Sequence, residues 1–404
     1  MKPRFYRKVL KNGMTVVFEK RDSPTVSVAF AVRSGGIDEA SSEKGISHFI
    51  EHMIFKKTKN RDSRQIASAI EKKGGVLNGF TDETVTAFWC KMPSRHVGVA
   101  FDILSDVVKN PLFMEQDIER ERNVILEEIN MYKDTPSHYV FNEMQKLLYK
   151  EPFGDPLIGT EKTLKSLTRK ELLGRFEKFY RPENLVLCVV GDTDFRKIVD
   201  FAEKNFDFKW KMSGKKSRQR IVKRNKSKTE KRKGVDQANL VFAFHVPTLK
   251  DEKNYAARVL NVILAGGMSS RLFHEIREKR NLAYAIKGGS EIARDFAHSF
   301  IYAGTKKENV NNIKKIIIDE MKKVSKELDE KELAQAKEEM IGNLQISMED
   351  SQAQMAYLLH HEIEGNAKDF YETEKNIKKV KLEDVKAVAK QAAKKYSFFA
   401  LVPS

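Results

Sequence analysis

The chain has 404 residues, of which 41% are hydrophobic and 32% charged; this is the composition of a soluble globular protein and excludes a disordered or collagenous chain. A chain of this length favours two or more domains, and its formal net charge of +17 by itself suggests a nucleic-acid or anionic-membrane partner. The longest apolar runs, such as residues 185–190, are far too short to span a membrane, and the basic N-terminus leads into a strand pattern. We therefore expect a cytoplasmic protein with no membrane partner.

The first part of the chain combines strand patterns with helical ones. Asn12-Gly13 readily adopts positive φ angles and predicts a hairpin turn between two short strands over 8–18. A half-buried strand is predicted at 26–32, followed by one helix from about 42 and another at 63–73. After them come a strand-rich stretch at 76–91, a long helical region at 115–149 and a buried strand at 185–190. Cys90 and Cys188 each fall in a strand-like apolar stretch, so we expect two buried free thiols.

A basic segment at 209–233 interrupts these patterns. It holds 13 Lys or Arg residues and one acidic residue, Glu230, so most of the net charge lies there, and it predicts an exposed linker or edge. Domains are predicted on either side of it, at 1–208 and 234–404. Each half ends in an amphipathic helix followed by a strand, which indicates an internal duplication. Because strands and helices do not alternate regularly, we predict two similar α+β domains.

The sequence His-Phe-Ile-Glu-His at 48–52 predicts a metal site. His48, Glu51 and His52 lie at i, i+3 and i+4, on one side of a helix whose other side carries an apolar stripe: Ile46, Phe49, Ile50 and Met53. Two imidazoles one turn apart can hold one zinc ion that keeps a position for water, and Glu51 then suits the general base. A single histidine is usually structural, but with 9 histidines in the chain a chance match has a probability of roughly one or two per cent.

A third ligand is expected on the helix predicted from 115 to about 132. Glu121 and Glu128 fall near the apolar face marked by Ile118, whereas Glu127 points to the opposite side. A buried carboxylate needs a partner or a metal, and geometry selects Glu128 over Glu127. Glu121 could itself ligate, or could orient a ligand from behind.

These motifs resemble the pitrilysin family of inverzincin metallopeptidases, in the short two-domain type similar to mitochondrial processing peptidase subunits. Five segments carry the resemblance in the family's order: Gly45-x-x-His48-x-x-Glu51-His52-Met53-x-Phe55, Gly74-Gly75-x-x-Asn78, Glu121 to Glu128, Tyr180-Arg181-Pro182-x-Asn184 and Gly191-Asp192. It implies two similar domains, each a largely antiparallel β-sheet packed against helices. It also implies one Zn²⁺ per chain, held by His48, His52 and Glu128, with Glu121 in the position of the family's second acidic residue.

The resemblance assigns further roles to residues that their chemistry alone leaves unmarked. Arg277 and Tyr284, seven positions apart, resemble a pair that binds substrate opposite the zinc; Tyr284 would stabilise the oxyanion, and with Glu51 and Glu121 it completes the expected catalytic residues. Without the resemblance, Arg277 would be interpreted as a surface ion-pair residue and Tyr284 as a strand residue. An edge strand is expected to bind extended peptide through its main chain, at Asn78, Gly79, Phe80 and Thr81. Gly79 departs from the alanine that is usual there.

We therefore predict a zinc-dependent endopeptidase in which Glu51 activates a zinc-bound water. Two chains are expected to form a clamshell homodimer that hydrolyses unfolded peptides inside its chamber, with the second half of one chain completing the zinc site of the other.

Three alternatives remain. The chain could be one subunit of a heterodimeric processing peptidase, or a non-catalytic partner of the same fold, which the intact motif argues against. The segment 209–233 could bind nucleic acid or phospholipid, but Trp210 is its only aromatic residue, so base stacking has little support and nucleic acid is not the expected partner.

Overall fold

The computed structural model describes residues 4–207 and 220–404, which divide into two compact units. Unit 1 contains the described residues of 1–129, 156–219 and 347–370, and unit 2 contains those of 130–155, 220–346 and 371–404. These units differ from the predicted domains in two segments, because 130–155 belongs to unit 2 and 347–370 to unit 1.

The described residues form the following elements, numbered in chain order. The strands are β1 (Arg4–Val9), β2 (Thr15–Lys20), β3 (Thr25–Val32), β4 (Val76–Thr81), β5 (Thr86–Pro93), β6 (Leu185–Gly191), β7 (Ser227–Arg232), β8 (Ala238–His245), β9 (Ala283–Ile292), β10 (Ala297–Thr305) and β11 (Ser397–Pro403). The α-helices are α1 (Ile46–Ile54), α2 (Ser63–Glu71), α3 (Val97–Lys109), α4 (Glu115–Asp134), α5 (Pro136–Leu148), α6 (Glu161–Ser166), α7 (Arg169–Phe179), α8 (Phe195–Asn205), α9 (Asn254–Ala265), α10 (Val310–Glu327), α11 (Glu330–Ser347), α12 (Ser351–Glu364), α13 (Thr373–Lys378) and α14 (Leu382–Ala392).

The sheet of unit 1 has the strand order β1-β2-β6-β3-β5-β4. Only the β2 and β6 pair is parallel among these neighbours. The central strand β6 is buried along its whole length, as its continuous apolar sequence predicts. At one end, β1 pairs with β2 across the predicted hairpin turn, where Gly13 has a φ of +89°. At the other end, β4 forms the edge of the sheet and is partly exposed.

The sheet of unit 2 has the strand order β7-β11-β8-β10-β9, and only β7 and β11 are parallel neighbours. Without β1, the sheet of unit 1 has the same sequence of pairings and the same directions, with β7 corresponding to β2 and β9 to β4. The two units therefore repeat one topology. The predicted α+β class with two similar, largely antiparallel sheets is confirmed.

The two segments that depart from the predicted domains each carry a helix that packs on a sheet. Helix α5 packs on β8 and β11 in unit 2, and α12 packs on the corresponding strands β3 and β6 in unit 1. Glu362 of α12 accepts hydrogen bonds from Arg7 of β1 at 2.8 Å and from Arg33, which follows β3, at 2.7 Å. Amphipathic periodicity predicts that such helices are packed, but it does not specify the sheet that covers them.

The predicted linker 209–233 lies partly outside the described residues. Its described part contains β7, which forms the edge of the sheet of unit 2, so 227–232 belongs to that sheet. Closely spaced basic residues suit an exposed edge strand because they oppose pairing with another chain. Glu230 lies within β7 and accepts hydrogen bonds from Lys228 and Arg232 at 3.0 and 2.9 Å.

The two cysteines agree with another expectation. Cys90 and Cys188 are both free and buried. Among the described helices, we find none with the length and apolar character needed to cross a membrane.

Candidate metal centre

Helix α1 separates an apolar face from a polar one. It begins after Gly45, which has a φ of +95° and lies so close to other backbone that an added Cβ would meet the carbonyl oxygen of Ile158 at 2.5 Å. The four apolar residues of the predicted stripe are at most 1% exposed: Ile46, Phe49, Ile50 and Met53. His48, Glu51 and His52 are only partly buried. The apolar face anchors the helix and leaves the polar face available for a site.

Helix α4 supplies the carboxylates opposite α1. Its apolar residues Ile118 and Ile125 are buried, and Glu121 is only 6% exposed. Glu127 is exposed, whereas Glu128 is partly buried and faces the two histidines. The structure therefore brings Glu128, and not its neighbour, to the side expected from the helical periodicity.

His48, His52 and Glu128 converge on one point. Oε2 of Glu128 lies 3.8 Å from Nε2 of His48 and 3.5 Å from Nε2 of His52. One candidate ligand atom from each residue lies within 4.8 Å of the others. Zinc ligand atoms about 2.0–2.2 Å from the ion lie about 3.3 Å from one another in a tetrahedron. Two imidazoles and a carboxylate are ligands that suit zinc, and these three groups would have to move closer together to bind one ion.

Glu121 lies behind His52. Its Oε2 is 3.2 Å from Nδ1 of His52, and its Oε1 is 2.6 Å from Nζ of Lys56. When Nδ1–H donates a hydrogen bond to Glu121, the lone pair of Nε2 is directed at Glu128. Of the two roles left open by the sequence, this arrangement favours orientation of a ligand.

The charges around Glu121 keep it ionised. Burial opposes ionisation, but the hydrogen bonds from His52 and Lys56 lower its pKa. The sequence pattern did not mark Lys56, which lies just after the end of α1 and four residues after His52.

The two histidines differ in protonation. Burial, together with the neighbouring His52, lowers the pKa of His48 to about 4, so this imidazole is neutral. Burial also acts to lower the pKa of His52, but hydrogen bonds with Glu121 and Glu128 outweigh it and raise that pKa to about 9. A metal ion would therefore have to displace a proton from His52 before Nε2 could bind it.

Glu51 is held against strand β4. Its Oε2 accepts a hydrogen bond from Oγ1 of Thr81 at 2.6 Å. Burial raises the pKa of Glu51, and the Thr81 hydrogen bond only partly offsets this effect. An added Cβ at Gly79 would lie 3.1 Å from Cγ of Glu51, so glycine here leaves room for the carboxylate. The sequence indicated β4 as a substrate edge but did not reveal its contact with Glu51.

Asn78 and Phe80, the other two residues of the predicted substrate edge, make different contacts. Asn78 is exposed and its Oδ1 accepts a hydrogen bond from the backbone N–H of Gly79 at 2.8 Å. The Phe80 ring stacks on His360 with 6.0 Å between centroids. The main chain of β4 forms the open edge of its sheet.

Arg277 and Tyr284 lie in unit 2, whereas the residues described above lie in unit 1. Arg277 is exposed in a π-helical turn, Phe273–Glu278, with its guanidinium 4.9 Å from the Phe273 ring centroid. Tyr284 lies on the edge strand β9 and is 49% exposed. Its ring covers Gly304, where an added Cβ would lie 2.4 Å from the hydroxyl oxygen.

Comparison with known families and proteins covers most of the chain. Residues 15–161 match a family model described as Insulinase (Peptidase family M16), and residues 166–340 match one described as Peptidase M16 inactive domain. A protein of Rickettsia felis named "Uncharacterized zinc protease" is 34% identical over 352 residues, covering 86% of this chain and 85% of the relative. The "Uncharacterized zinc protease YmxG" of Bacillus subtilis is 32% identical over 391 residues, covering 95% of each.

Solved structures share the fold. A protease from Helicobacter pylori has a TM-score of 0.90 at 21% identity, covering 99% of this chain and all of its own. A putative M16-like peptidase from Alicyclobacillus acidocaldarius has a TM-score of 0.85 at 18% identity, covering 100% of this chain and 99% of its own. These similarities agree with the repeated sheet topology and with the resemblance carried by the sequence motifs. The chain belongs to the pitrilysin-like peptidase family M16, in its short two-domain type.

Proposed function

We propose that this chain is a zinc-dependent endopeptidase. The observation that carries the proposal is the convergence of His48, His52 and Glu128 beside a Glu51 carboxylate that Thr81 holds. Nε2 of both histidines and the carboxylate of Glu128 would hold one zinc ion per chain. When bound, zinc lowers the pKa of water and polarises a peptide carbonyl.

Glu51 acts as the general base. Because its pKa is raised, it can accept a proton from the attacking water and later deliver it to the leaving amine. Thr81 holds one oxygen of this carboxylate, which fixes the direction of the other. Glu121 and Lys56 keep His52 oriented from behind.

The substrates are unfolded peptides that add to the open edge of β4. An extended peptide can form main-chain hydrogen bonds along Asn78–Thr81, an arrangement that gives affinity with little sequence selectivity. Arg277 hydrogen-bonds the peptide and Tyr284 stabilises the oxyanion, as the family resemblance implies. We propose a cytoplasmic homodimer in which the second half of one chain completes the site of the other; a heterodimer is the alternative.

A non-catalytic role is the second candidate, because one matching family model is described as an inactive domain. That model covers residues 166–340, whereas Glu51 and the three candidate ligands fall within 15–161, which matches the Insulinase model. Relatives that align over most of their length are named zinc proteases. The position of the site supports catalysis.

The test compares peptide cleavage by the wild type, Glu51→Gln and Glu127→Gln, each with its zinc content measured. Loss of a general base lowers the rate by about 10²–10⁴-fold, so Glu51→Gln should bind zinc and cleave at least about 100-fold more slowly. Glu127→Gln changes an exposed carboxylate on the adjacent helix and should cleave like the wild type. Unchanged cleavage by Glu51→Gln, or a wild type whose cleavage survives complete removal of zinc, would refute the proposal.

A further inference from the structure

A fully buried lysine precedes the candidate metal-binding helix. Lys44 is 0% exposed, and its Nζ lies 3.8 Å from Oε2 of Glu39 and 3.9 Å from Oε2 of Glu83. It also donates a hydrogen bond to the carbonyl oxygen of Gly36 at 3.3 Å. Lysine is almost never fully buried without a partner, and these two carboxylates are the ion-pair partners of Lys44.

Glu39 fixes the start of α1. Its Oε2 accepts a hydrogen bond from the backbone N–H of Gly45 at 3.0 Å, and its Oε1 accepts one from that of Ser47 at 2.9 Å. The first N–H groups of a helix have no partner within the helix, and a negative charge there is favourable. Glu39 is itself 0% exposed, so its position determines where α1 begins.

Glu83 belongs to the connection between β4 and β5, two residues after Thr81. This connection is bound to the segment before α1, because Ile37 N–H donates to the carbonyl oxygen of Glu83 at 2.9 Å. A Cβ added to Gly35 would lie 2.1 Å from the carbonyl oxygen of Asp82, and one added to Gly36 would lie 2.3 Å from Oε2 of Glu83. Two glycines therefore allow the close approach that places Lys44 between the carboxylates.

Arg175 of α7 reinforces the same segment. Its guanidinium donates to the carbonyl oxygens of Asp38 at 2.9 Å and Gly35 at 3.2 Å, and to Oγ of Ser47 at 3.2 Å. The segment before α1 is thus bound to α1 itself, to α7 and to the β4–β5 connection.

We infer that Lys44 is a positioning residue that couples α1 to the β4–β5 hairpin. The general base lies on α1 and its hydrogen-bond partner Thr81 lies on β4, so both sides of the Glu51–Thr81 contact depend on this join. A displacement of about 1 Å at a catalytic group can cost about 100-fold in rate. The catalytic consequence rests on the proposed function, but the coupling itself does not.

The coupling is tested first without zinc or substrate, by hydrogen exchange of Lys44→Met. Amides in 44–55 and in 76–85 should both exchange at least about tenfold faster than in the wild type, because the two segments lose their common partner. Glu362→Gln is the matched control: it removes another buried, ion-paired charge of unit 1, and any faster exchange that follows from its lower global stability should be spread over unit 1 and not concentrated in these two segments. Faster exchange in only one of the segments, or in neither, would overturn the inference.

A second variant guards against misfolding of Lys44→Met, which leaves two buried carboxylates without their cation. Lys44→Met/Glu83→Gln removes one charge of each sign, so it should fold, and it should still show faster exchange in both segments. If this double variant protects both segments like the wild type, Lys44 only balances charge and the inference is wrong.

Kinetics provide the functional readout. With zinc saturating, Lys44→Met should lose at least about tenfold in kcat with KM changed less than about threefold, since a misplaced general base affects the chemical step more than binding. Glu362→Gln should keep kcat within about twofold. Equal kcat in Lys44→Met and the wild type would contradict the catalytic consequence. A wild type without zinc-dependent cleavage would instead refute the proposed function, while the exchange experiment would still decide the coupling.

Discussion

At the scale of single residues, His48 and His52 lie one helical turn apart, but their pKa values are shifted in opposite directions. Burial keeps His48 neutral, whereas two carboxylates hold a proton on His52 in the absence of metal. The spacing of the motif predicted that both imidazoles face one point. It could not predict this difference, because the carboxylates of Glu121 and Glu128 come from a helix about 70 positions later in the chain.

The protonation of His52 predicts that zinc affinity depends on pH. With a pKa of about 9 in the metal-free protein, His52 releases one proton when zinc binds at any lower pH, so affinity rises as pH rises. The Kd should fall by about tenfold for each pH unit between pH 6 and 8. His48, with a pKa of about 4, contributes little in this range.

Competition with a chelator of known affinity measures this dependence. Glu121→Gln provides the comparison, because it removes one of the carboxylates that raise the His52 pKa. The Kd of this variant for zinc should therefore stop falling with rising pH at a lower pH than that of the wild type. A wild-type Kd that does not change between pH 6 and 8 would show that His52 is not the titrating ligand.

At the scale of elements, the sequence predicted the helices that carry the candidate metal centre and the faces that they turn towards it. The apolar stripe of α1 and the different faces occupied by Glu128 and Glu127 both follow from helical periodicity, and the structure agrees with both. Periodicity did not reveal which sheet α5 and α12 cover, nor the contact between Glu51 and Thr81. Those depend on tertiary packing between residues distant in sequence.

Helix α12 supplies a prediction on stability. Glu362 is fully buried and paired with Arg7 and Arg33, which lower its pKa although burial opposes them. Its stabilising contribution is therefore present above the unfolded pKa of about 4.3 and is lost as pH falls through the lower folded value. Glu362→Gln should cost about 3 kcal/mol at pH 7, because breaking a buried pair leaves charges uncompensated.

Urea unfolding at pH 7 and at pH 3.5 checks this prediction. The difference between wild type and Glu362→Gln should shrink at the lower pH, because Glu362 takes up a proton in the unfolded chain below its unfolded pKa of about 4.3. Asp22→Asn is the control, since its pair with Arg4 is exposed and should contribute less than about 1 kcal/mol. A Glu362→Gln variant that is equally destabilised at both pH values would contradict the assignment.

At the scale of the whole molecule, the two units repeat one sheet topology but carry different chemistry. Unit 1 holds the histidines and carboxylates of the candidate metal centre, and unit 2 holds Arg277 and Tyr284. The sequence indicated the duplication because each half ends in an amphipathic helix followed by a strand. It could not show that 130–155 and 347–370 exchange units, because a chain read in order suggests contiguous domains.

The proposed homodimer predicts complementation between two inactive chains. Glu51→Gln keeps Tyr284, and Tyr284→Phe keeps Glu51, so a mixed dimer has one site with both residues if the site is shared between chains. Random mixing makes half of the dimers mixed with one of two sites complete, so activity should return to about a quarter of the wild-type value. No recovery on mixing, or an active monomer in sedimentation, would refute the shared site.

Anomalous diffraction at the zinc absorption edge would locate directly the zinc ion that we propose His48, His52 and Glu128 hold beside Glu51. Crystals grown with zinc should show one strong peak per chain, about 2.0–2.2 Å from Nε2 of both histidines and from a carboxylate oxygen of Glu128. The carboxylate of Glu121 should remain bonded to His52 and outside the coordination sphere. A zinc peak held by other residues, or no peak at this position, would refute the proposed zinc site.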